Sequence, residues 1–518
     1  MNDASVKSSA ALAERGPVQL AAGALAGALA PESAAVSRFL GIPYAAPPTG
    51  DLRWRPPQPA AAWAGQRDAT AFGPAPSQSI DPSLSMFGIQ EGDDTSEDCL
   101  TLNVWTPASA KDEKRPVMVW IHGGGFRTGH GAHPMYNGVR LAEKGVVVVT
   151  INYRLNVFGG FAHPLLTAKS GHGASGNYAL MDQIAALEWV RDNISAFGGD
   201  PGNVTIFGES AGGRSVSLLM LSPPARDLFH KGICQSGALR DTGGTLAERE
   251  RQGVAVAEAL GCKTLDALRA AKWQDLAGAV DFNSNPFVDG WVVPDTPEKL
   301  YAEGKVHDKP LLVGTNAHEA GLFAMRLKAP VDTAAKFKAI VEREFGTAAA
   351  RVLAVYKVAE DADAQGAWND LRTDMWFTLP ARKQARWLEA AGRSPHLYCL
   401  SRIPPWRGGR AMGAHHGAEI PYVFGGGIRC GAFNPDGADG PADRNLSDAM
   451  MSYWVNFAAT GDPNGNGLPE WRPYASKGEP YMDFGDTAAP GTGLYRERLD
   501  VLEAALEHHS GISNIYGD

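Results

Sequence analysis

Uninterrupted apolar runs alternate with amphipathic stretches over the first half of the chain. The segments PVMVWIH at 116–122 and GVVVVTINYR at 145–154 are rich in β-branched residues and show no alternation of apolar and polar positions. Such runs are typical of strands that are covered on both faces. Apolar residues three and four positions apart predict a helix over 177–197, and NVTIF at 203–207 predicts the next strand. This succession predicts a mainly parallel sheet with helices on both faces.

Two later segments extend this pattern. The sequences KPLLVGTN at 309–316 and SPHLYCLSR at 394–402 predict further strands of the same sheet. Between about 240 and 300, and again between about 320 and 390, apolar residues recur with helical spacing. We interpret both segments as helical insertions over or beside the sheet that line its functional cleft. Since no internal repeat or long low-complexity linker interrupts the chain, we interpret residues 1–518 as a single domain.

The composition is that of a globular protein with a large core. Hydrophobic residues make up 44% and charged residues 20% of the 518 residues, so no disulfide or metal is needed to stabilise the fold. The formal net charge of −9 is spread along the chain without a basic block, which argues against a nucleic-acid partner. The five cysteines contain no close-spaced pair of the kind that binds metals.

The N-terminal segment shows neither a clear signal peptide nor a membrane span. We interpret residues 1–15 as a loose tail that precedes an early hairpin. The Ala- and Gly-rich stretch around it is interrupted by Glu14, Arg15 and Gln19, which makes it too polar to cross a membrane. We therefore predict a cytoplasmic protein, with secretion not excluded, that is a monomer or a small homo-oligomer.

The segment FGESAGG at 207–213 places a serine among glycines where a strand gives way to a helix. Gly208-Glu209-Ser210-Ala211-Gly212 matches the G-x-S-x-G nucleophile elbow of α/β-hydrolases. A strand that turns at once into a helix strains its middle residue, and larger side chains two positions away would collide with the turn. Because the bare pattern can arise by chance among 60 glycines, its partners decide whether the serine is a nucleophile.

A second glycine-rich element predicts the matching oxyanion hole. The segment WIHGGGF at 120–126 ends an apolar strand with three successive glycines. Glycines let backbone N–H groups approach a ligand closely, and an HGGG element supplies part of the oxyanion hole in such hydrolases. We therefore predict the N–H groups of Gly124, Gly125 and Ala211 as its donors. The glycines do not fit G-x-G-x-x-G, so a dinucleotide site is not supported.

The acid and the base must follow the serine in chain order. Glu319 comes just after the predicted strand at 309–316, where such sheets carry functional residues. The loop GAHHGAEIPYVFGG at 413–426 offers two adjacent histidines downstream of a predicted strand. Spacing alone leaves the histidine open among the candidates His230, His307, His318, His396, His415, His416, His508 and His509.

Several longer blocks resemble the type-B carboxylesterase family, which includes cholinesterases and bacterial p-nitrobenzyl esterases. They are FLGIPYAAPPTGDLRWRPPQP at 39–59, EDCLTLNVWTP at 97–107, INYRLNVFGGF at 151–161, the block at 176–213 that ends in the serine motif, and WVNFAATGDPN at 454–464. The resemblance covers nearly the whole chain. It implies an α/β-hydrolase fold, with a large mostly parallel central sheet flanked by helices and with helical insertions over the active site.

The resemblance also implies the identity of the catalytic residues. In this family the acid ends an N-x-x-E element, which here runs from Asn316 to Glu319, and the base begins an H-G-x-E element, which here starts at His416. His415 is one residue out of that register. The implied triad is Ser210, His416 and Glu319.

Other family positions are matched or altered. Ser236 matches a serine that supports the catalytic site, and Glu209, which precedes the nucleophile, can modulate its electrostatics. Ala320 replaces the glycine that usually follows the acid, a change from which we expect little consequence. Secreted relatives pair the cysteine of the EDCL block with an upstream cysteine, but no cysteine precedes Cys99. The loop at 75–98 contains no tryptophan, so a choline site there is unsupported.

These observations predict a serine hydrolase that cleaves a small-molecule carboxylic ester through an acyl-enzyme, without a cofactor. His122, His130 and His133 suggest a metal cluster as an alternative, but their loop is better explained by its glycines, so no metal is predicted. A binding protein on the same fold is a second alternative, because some family members have lost catalysis. Amide, carbamate and thioester substrates stay open beside esters.

The substrate pocket is the least determined part of the prediction. The segment NPFVDGWVVP at 285–294 and the helical insertions supply its candidate residues, of which we select Phe287, Phe323 and Trp376; Met325, Met375 and Phe377 are further apolar candidates. An apolar gorge of this kind would favour medium-sized neutral esters over long lipids or polymers.

Overall fold

The apolar runs of the sequence become strands in the computed structural model, which describes residues 11–80, 88–89, 92–239, 243–278, 282–325, 327, 329–405, 407–426 and 440–507. The strands are β1 (Val18–Leu20), β2 (Gly23–Ala26), β3 (Ala28–Ala30), β4 (Ser33–Pro43), β5 (Gln66–Asp68), β6 (Ala75–Pro76), β7 (Thr95–Ser96), β8 (Thr101–Thr106), β9 (Arg115–Ile121), β10 (Val147–Ile151), β11 (Gly199–Glu209), β12 (Lys231–Gln235), β13 (Leu311–Asn316), β14 (His396–Leu400), β15 (Pro480–Phe484) and β16 (Ala488–Thr492).

The helices alternate with these strands. They are α1 (Val139–Glu143), α2 (Asn156–Gly160), α3 (Pro164–Thr167), α4 (Tyr178–Asn193), α5 (Ala211–Leu219), α6 (Leu246–Ala259), α7 (Leu265–Ala270), α8 (Trp273–Gly278), α9 (Pro297–Ala302), α10 (Ala320–Ala324), α11 (Ala334–Phe345), α12 (Ala349–Val355), α13 (Ala364–Thr373), α14 (Leu379–Ala390), α15 (Arg407–Met412), α16 (Ile420–Phe424), α17 (Pro441–Thr460) and α18 (Arg496–Leu506). A π-helix, Asp374–Thr378, joins α13 to α14.

Eleven of the described strands form one sheet in the order β16-β15-β14-β13-β12-β11-β9-β10-β8-β4-β3. The strands from β15 to β10 pair in parallel, whereas the strands at both edges pair antiparallel. The five predicted strands are present as β9, β10, β11, β13 and β14, and the predicted mainly parallel sheet is confirmed. Because β9 lies between β10 and β11, the strand order reverses there, and open α/β sheets bind ligands at such a point.

Strand β9 explains why the apolar runs lack alternation. Val117, Val119 and Ile121 belong to one buried apolar cluster, whereas Met118 and Trp120 belong to another. Since successive side chains of a strand point to opposite faces, the two clusters cover opposite faces of the sheet. The central strands are therefore apolar on both faces, which fixes their position in the middle of the fold.

The two predicted helical insertions are helical in the structure. The segment at about 240–300 contains α6 to α9, and the segment at about 320–390 contains α10 to α14 and the π-helix. The second segment has its own apolar core, in which Phe337, Val341 and Leu371 pack with Leu499 and Leu502 of α18. The helix α18 near the chain end therefore anchors this segment to the rest of the fold.

The structure describes the last part of the segment 1–15, which the sequence predicts as a loose tail. Residues 1–10 lie outside the described residues, but Leu12–Arg15 form one turn of 3-10 helix. Leu12 belongs to the larger core cluster, and the Ala13 N–H donates to Ser37 Oγ at 2.9 Å. The predicted hairpin follows as β1 and β2. None of the described helices has the length and apolar character needed to cross a membrane.

A buried ion pair ties α4 to the loop after β10. The Arg154 guanidinium donates to both carboxylate oxygens of Asp182 at 2.8 and 2.7 Å, and the Arg154 N–H donates to the same carboxylate at 3.0 Å. The side chains of Arg154 and Asp182 are 3% and 0% exposed. Burial lowers the pKa of Arg154, whereas the neighbouring Asp182 raises it. The net shift of this pKa is upward. The Arg154 guanidinium therefore stays charged in the interior.

We expect Asp182→Asn to lower the free energy of unfolding by about 3–5 kcal/mol, because it leaves the Arg154 charge buried without compensation. The measurement is the midpoint of denaturant-induced unfolding. Asp192→Asn is the matched control, since Asp192 forms an exposed ion pair with Arg191; its effect should stay within about 0.5 kcal/mol. Equal effects of the two substitutions would contradict a role of the buried pair in stability.

Candidate active site

Neighbouring strands deliver the candidate residues to one edge of the sheet. The glycine loop at 123–125 follows β9, Ser210 follows β11, Ser236 follows β12 and Glu319 follows β13. Because these four strands are adjacent and parallel, their carboxyl ends meet. His416 reaches the same edge from the loop before α16.

The backbone at Ser210 has the strained geometry expected of the elbow. Ser210 adopts φ 56° and ψ −118°, which L residues rarely adopt, and its N–H donates to Gln235 O at 2.9 Å. A Cβ at Gly208 would lie 2.5 Å from Ile121 O, and one at Gly212 would lie 1.9 Å from the same oxygen. Glycine is therefore required at both positions, because the turn packs directly against the backbone at the end of β9.

The glycine loop after β9 approaches the serine closely. A Cβ at Gly123 would lie 3.2 Å from Ser210 Cβ, and one at Gly124 would lie 2.1 Å from Thr128 O. Gly124 and Gly125 adopt φ values of 100° and 64°. The predicted donors Gly124 and Gly125 therefore sit in a turn beside the serine. The third predicted donor is the Ala211 N–H. Ala211 occupies the first position of α5, so its N–H has no acceptor within the helix.

A buried glutamine that the sequence analysis did not identify holds the glycine loop. Thr128 Oγ1 and the Gly129 N–H both donate to Gln78 Oε1, at 2.5 and 2.8 Å. The Gln78 amide donates back to Gly129 O at 2.9 Å. Gln78 lies in no recognisable motif, so only the fold reveals this contact.

The predicted base and acid form a buried hydrogen-bonded pair. His416 Nδ1 lies 2.6 Å from Glu319 Oε2. The other carboxylate oxygen of Glu319 accepts from Ser236 Oγ at 2.5 Å, Thr315 Oγ1 at 3.0 Å and the Asn316 N–H at 2.8 Å. These bonds fix the carboxylate and, through it, the imidazole ring. The sequence analysis had included Ser236 but not Thr315.

A second carboxylate lies on the opposite side of the imidazole. Glu209 Oε1 is 3.1 Å from His416 Nε2, in a contact that lacks hydrogen-bond geometry. Burial raises the pKa of Glu209. Burial by itself lowers the pKa of His416, but Glu209 and Glu319 raise it, and the net shift is upward. The site therefore stabilises an imidazolium.

A third buried carboxylate, Glu419, links the acid to the elbow. Its oxygens accept from the side-chain amides of Asn316 at 2.6 Å and Gln235 at 3.1 Å, and Trp454 Nε1 donates to Gln235 Oε1 at 3.1 Å. Burial raises the pKa of Glu419, and Glu319 adds to the increase. His415, the residue out of register, contributes its carbonyl oxygen, which accepts from Asn316 Nδ2 at 2.9 Å.

A narrow cleft opens beside Ser210. Phe323 and Phe377 line it and also contact the His416 ring, with centroid separations of 5.2 and 4.8 Å. The serine and the histidine therefore border the same aromatic pair. The described residues that line the cleft are Gly125, Phe126, Ser210, Ala211, Arg214, Ser236, Gly237, Ala238, Asn285, Phe323, Trp376 and Phe377.

The three selected pocket residues divide between the cleft and the core. Phe323 and Trp376 line the cleft, with Trp376 carried by the π-helix. Phe287 is 0% exposed and packs beneath the Arg249 guanidinium, 5.7 Å from its ring centroid. Met325, a further candidate, is 72% exposed. The described lining combines apolar side chains with polar ones such as Ser236 and Asn285.

The three histidines around the glycine loop pack as core residues. His122 stacks on Tyr153 at a centroid separation of 4.3 Å, and His130 contacts His133 at 5.8 Å. Burial lowers the pKa of His122 and of His133 to about 3. Among the described residues, no group of three or more His, Cys, Asp or Glu side chains could hold a metal ion.

Comparison with known proteins identifies relatives over nearly the entire chain. The model of the carboxylesterase family matches residues 15–502. Fumonisin B1 esterase of Sphingopyxis macrogoltabida is 39% identical over 481 residues, which cover 89% of this chain and 85% of that protein. Carboxylesterase 1C of Mus musculus is 36% identical over 502 residues, which cover 90% and 88%.

Solved structures agree with these relatives. A thermophilic PNB esterase superposes with a TM-score of 0.81 at 33% identity and covers 94% of this chain and 99% of its own. Another PNB esterase structure gives a TM-score of 0.80 at 33% identity, with coverage of 93% and 99%. The chain therefore has the α/β-hydrolase fold that the sequence predicted.

The close approach at the elbow leads to a test of stability. We expect Gly212→Ala to destabilise the protein strongly, because the added Cβ would lie 1.9 Å from Ile121 O at the end of β9. Both backbone segments are closely packed, so neither can move to relieve this overlap without loss of other contacts. Gly366→Ala is the matched control, since Gly366 lies in α13 with no atom within 4 Å of its Cβ position. That control should be neutral or stabilising by up to about 1 kcal/mol. Thermal unfolding compares the two variants, and a Gly212→Ala protein as stable as the wild type would refute the steric argument.

Proposed function

The chain belongs to the carboxylesterase family and is a carboxylic ester hydrolase, and we propose that it works through an acyl-enzyme on Ser210. In this proposal His416 is the general base and Glu319 orients it. The N–H groups of Gly124, Gly125 and Ala211 form the oxyanion hole. The observation that carries the proposal is the buried His416–Glu319 hydrogen bond beside a strained serine.

The first half of the reaction forms the acyl-enzyme. His416 Nε2, which has no hydrogen-bond partner among the described residues, takes the proton of Ser210 as Oγ attacks the ester carbonyl carbon. The carbonyl oxygen becomes an oxyanion, which the three N–H groups and the N-terminus of α5 stabilise. His416 then gives the proton to the leaving alcohol as the carbon–oxygen bond breaks.

The second half repeats these steps with water. His416 takes a proton from the water that attacks the acyl carbon, and returns it to Ser210 Oγ when the acid leaves. Glu319 stabilises the imidazolium in both halves, and its hydrogen bonds to Ser236 and Thr315 keep it in place. No cofactor takes part in these steps.

We expect Ser210→Ala to lower kcat for p-nitrophenyl butyrate by about 10⁴-fold or more, because no acyl-enzyme can form. Glu319→Gln should lower kcat strongly as well, since it favours the wrong tautomer of His416. Labelling with a fluorophosphonate, followed by intact-protein mass spectrometry, should add one adduct to the wild type and none to Ser210→Ala.

Ser195→Ala is the control, because Ser195 is exposed in a 3-10 helix away from the cleft. It should keep wild-type kcat and accept the label. Labelling of Ser210→Ala at the wild-type rate would remove Ser210 as the nucleophile. A folded wild type that neither hydrolyses esters nor accepts the label would instead favour a binding protein on this fold.

The carboxylate beside His416 gives a prediction about pH. Because Glu209 raises the pKa of His416, Glu209→Gln should lower that pKa, and the base should become neutral at lower pH. We therefore expect the acid limb of kcat/KM to move to lower pH. The measurement uses p-nitrophenyl butyrate over about pH 5–10.5, a range that brackets the pKa of about 9 to which the pKa of His416 is raised. Glu470→Gln, at an exposed ion pair, should leave the limb in place.

An unmoved limb in Glu209→Gln would contradict the electrostatic role of Glu209. It would mean that this carboxyl group is protonated at the pH where His416 titrates, which burial favours because it raises the pKa of Glu209 to about 8. A shift to higher pH would exclude both explanations. The acid limb moves to lower pH, stays in place or moves to higher pH in the three cases, so its position decides between them.

The similarity to Fumonisin B1 esterase makes fumonisin B1 a substrate to test beside simple esters. The two chains are 39% identical over 481 residues. Turnover of both fumonisin B1 and p-nitrophenyl butyrate would extend the relative's named substrate to this chain. The ester hydrolysis proposed above does not depend on that result.

A further inference from the structure

The turn that carries two of the proposed oxyanion donors has a strained backbone. Gly124, Gly125 and Phe126 adopt φ values of 100°, 64° and 57° in succession. A run of positive φ values that includes a non-glycine residue persists only where surrounding contacts hold it in place. The position of these donors therefore depends on the residues that hold the turn.

The return segment of the turn, Thr128 and Gly129, packs directly against the glycines. A Cβ at Gly124 would lie 2.1 Å from Thr128 O, and one at Gly129 would lie 2.8 Å from Gly123 O. The Thr128 N–H also donates to Gly124 O at 3.1 Å. A displacement of the return segment would therefore move the proposed donors.

The side chain of Gln78 holds the return segment. Its Oε1 accepts from Thr128 Oγ1 at 2.5 Å and from the Gly129 N–H at 2.8 Å, and its amide donates to Gly129 O at 2.9 Å. The same amide donates to Pro76 O at 3.0 Å. Gln78 is only 2% exposed, and hydrogen bonds in such a buried place are stronger than in water.

The backbone that carries Gln78 is fixed by contacts outside the turn. Strand β6 pairs with β7, and the Ser77 N–H donates to Ser96 O at 3.1 Å. Asn152 Nδ2 donates to Pro74 O at 3.1 Å. Gln78 therefore joins an anchored segment to the strained turn.

We propose that Gln78 is a positioning residue for the oxyanion hole, and that it holds the return segment so that the Gly124 and Gly125 N–H groups meet the oxyanion of the substrate. This inference rests on the proposed function. Gln78 is not among the described residues that line the cleft, so it acts through Thr128 and Gly129. Because the oxyanion develops only in the transition state, loss of Gln78 should lower kcat more than it weakens substrate binding.

A matched pair of ketones tests the oxyanion hole. Ser210 Oγ can attack the carbonyl carbon of butyl trifluoromethyl ketone while His416 takes the hydroxyl proton, and the carbonyl oxygen becomes an oxyanion. Butyl methyl ketone has the same chain, but its carbonyl carbon is too weakly electrophilic to form much of this adduct. We define the ketone ratio as the inhibition constant of the methyl ketone divided by that of the trifluoromethyl ketone, both against p-nitrophenyl butyrate. Neither constant depends on the fraction of folded enzyme.

We expect Gln78→Met to lower the ketone ratio and kcat about 10- to 100-fold each, because misplaced donors stabilise the oxyanion less well. The substitution keeps the approximate size of the side chain and removes its hydrogen bonds. The inhibition constant of butyl methyl ketone should change little, since that ligand forms little oxyanion. Thr128→Val should lower the ratio as well, whereas Thr128→Ser should keep it because the hydroxyl remains.

Gln58→Met is the matched control. Gln58 donates to Pro56 O at 3.0 Å, as Gln78 does to Pro76 O, but it is exposed. This variant should keep the wild-type kcat and ketone ratio.

The ketone ratio separates positioning from a merely structural role. A folded Gln78→Met protein with the wild-type ratio would overturn the proposal, even if its kcat or its stability were lower. Should Gln78→Met not fold, the ratio of Thr128→Val decides in the same way. A folded wild type that hydrolyses no ester and binds both ketones equally would overturn the proposed function together with this inference.

Discussion

The site depends on the contact between the turn at Ser210 and the backbone at the end of β9. Two glycines, Gly208 and Gly212, bring that turn against Ile121 O, at positions where any Cβ would overlap the oxygen. This contact determines where α5 begins and how near the glycine loop comes to the serine. The same backbone approach thus positions the proposed nucleophile and the predicted oxyanion donors. Side-chain chemistry at this edge of the sheet follows from a steric requirement of the main chain.

Polar contacts extend this arrangement to the proposed acid, Glu319, and the proposed base, His416. The backbone carbonyl oxygen of Gln235 accepts from the Ser210 N–H, and the side-chain amide of Gln235 donates to Glu419. Asn316 donates to both Glu419 and Glu319, and Glu319 holds His416. The elbow and the acid are therefore joined by buried hydrogen bonds rather than by proximity alone. Such a network satisfies carboxylates that burial would otherwise destabilise, and it restricts the ring of His416 to one orientation.

The sequence predicted the parts of this structure that local patterns encode. Strands β9, β10 and β11 come from long β-branched runs, and the serine and glycine motifs predict a nucleophile and its neighbouring loop without tertiary information. The short strand β12 was missed because KGICQ is five residues long and has no periodicity that distinguishes it from a buried turn. Phe287 was placed in the pocket although it packs in the core, since a phenylalanine has the same local signature in either place. The contacts of Gln78 result from long-range packing, which one sequence cannot show.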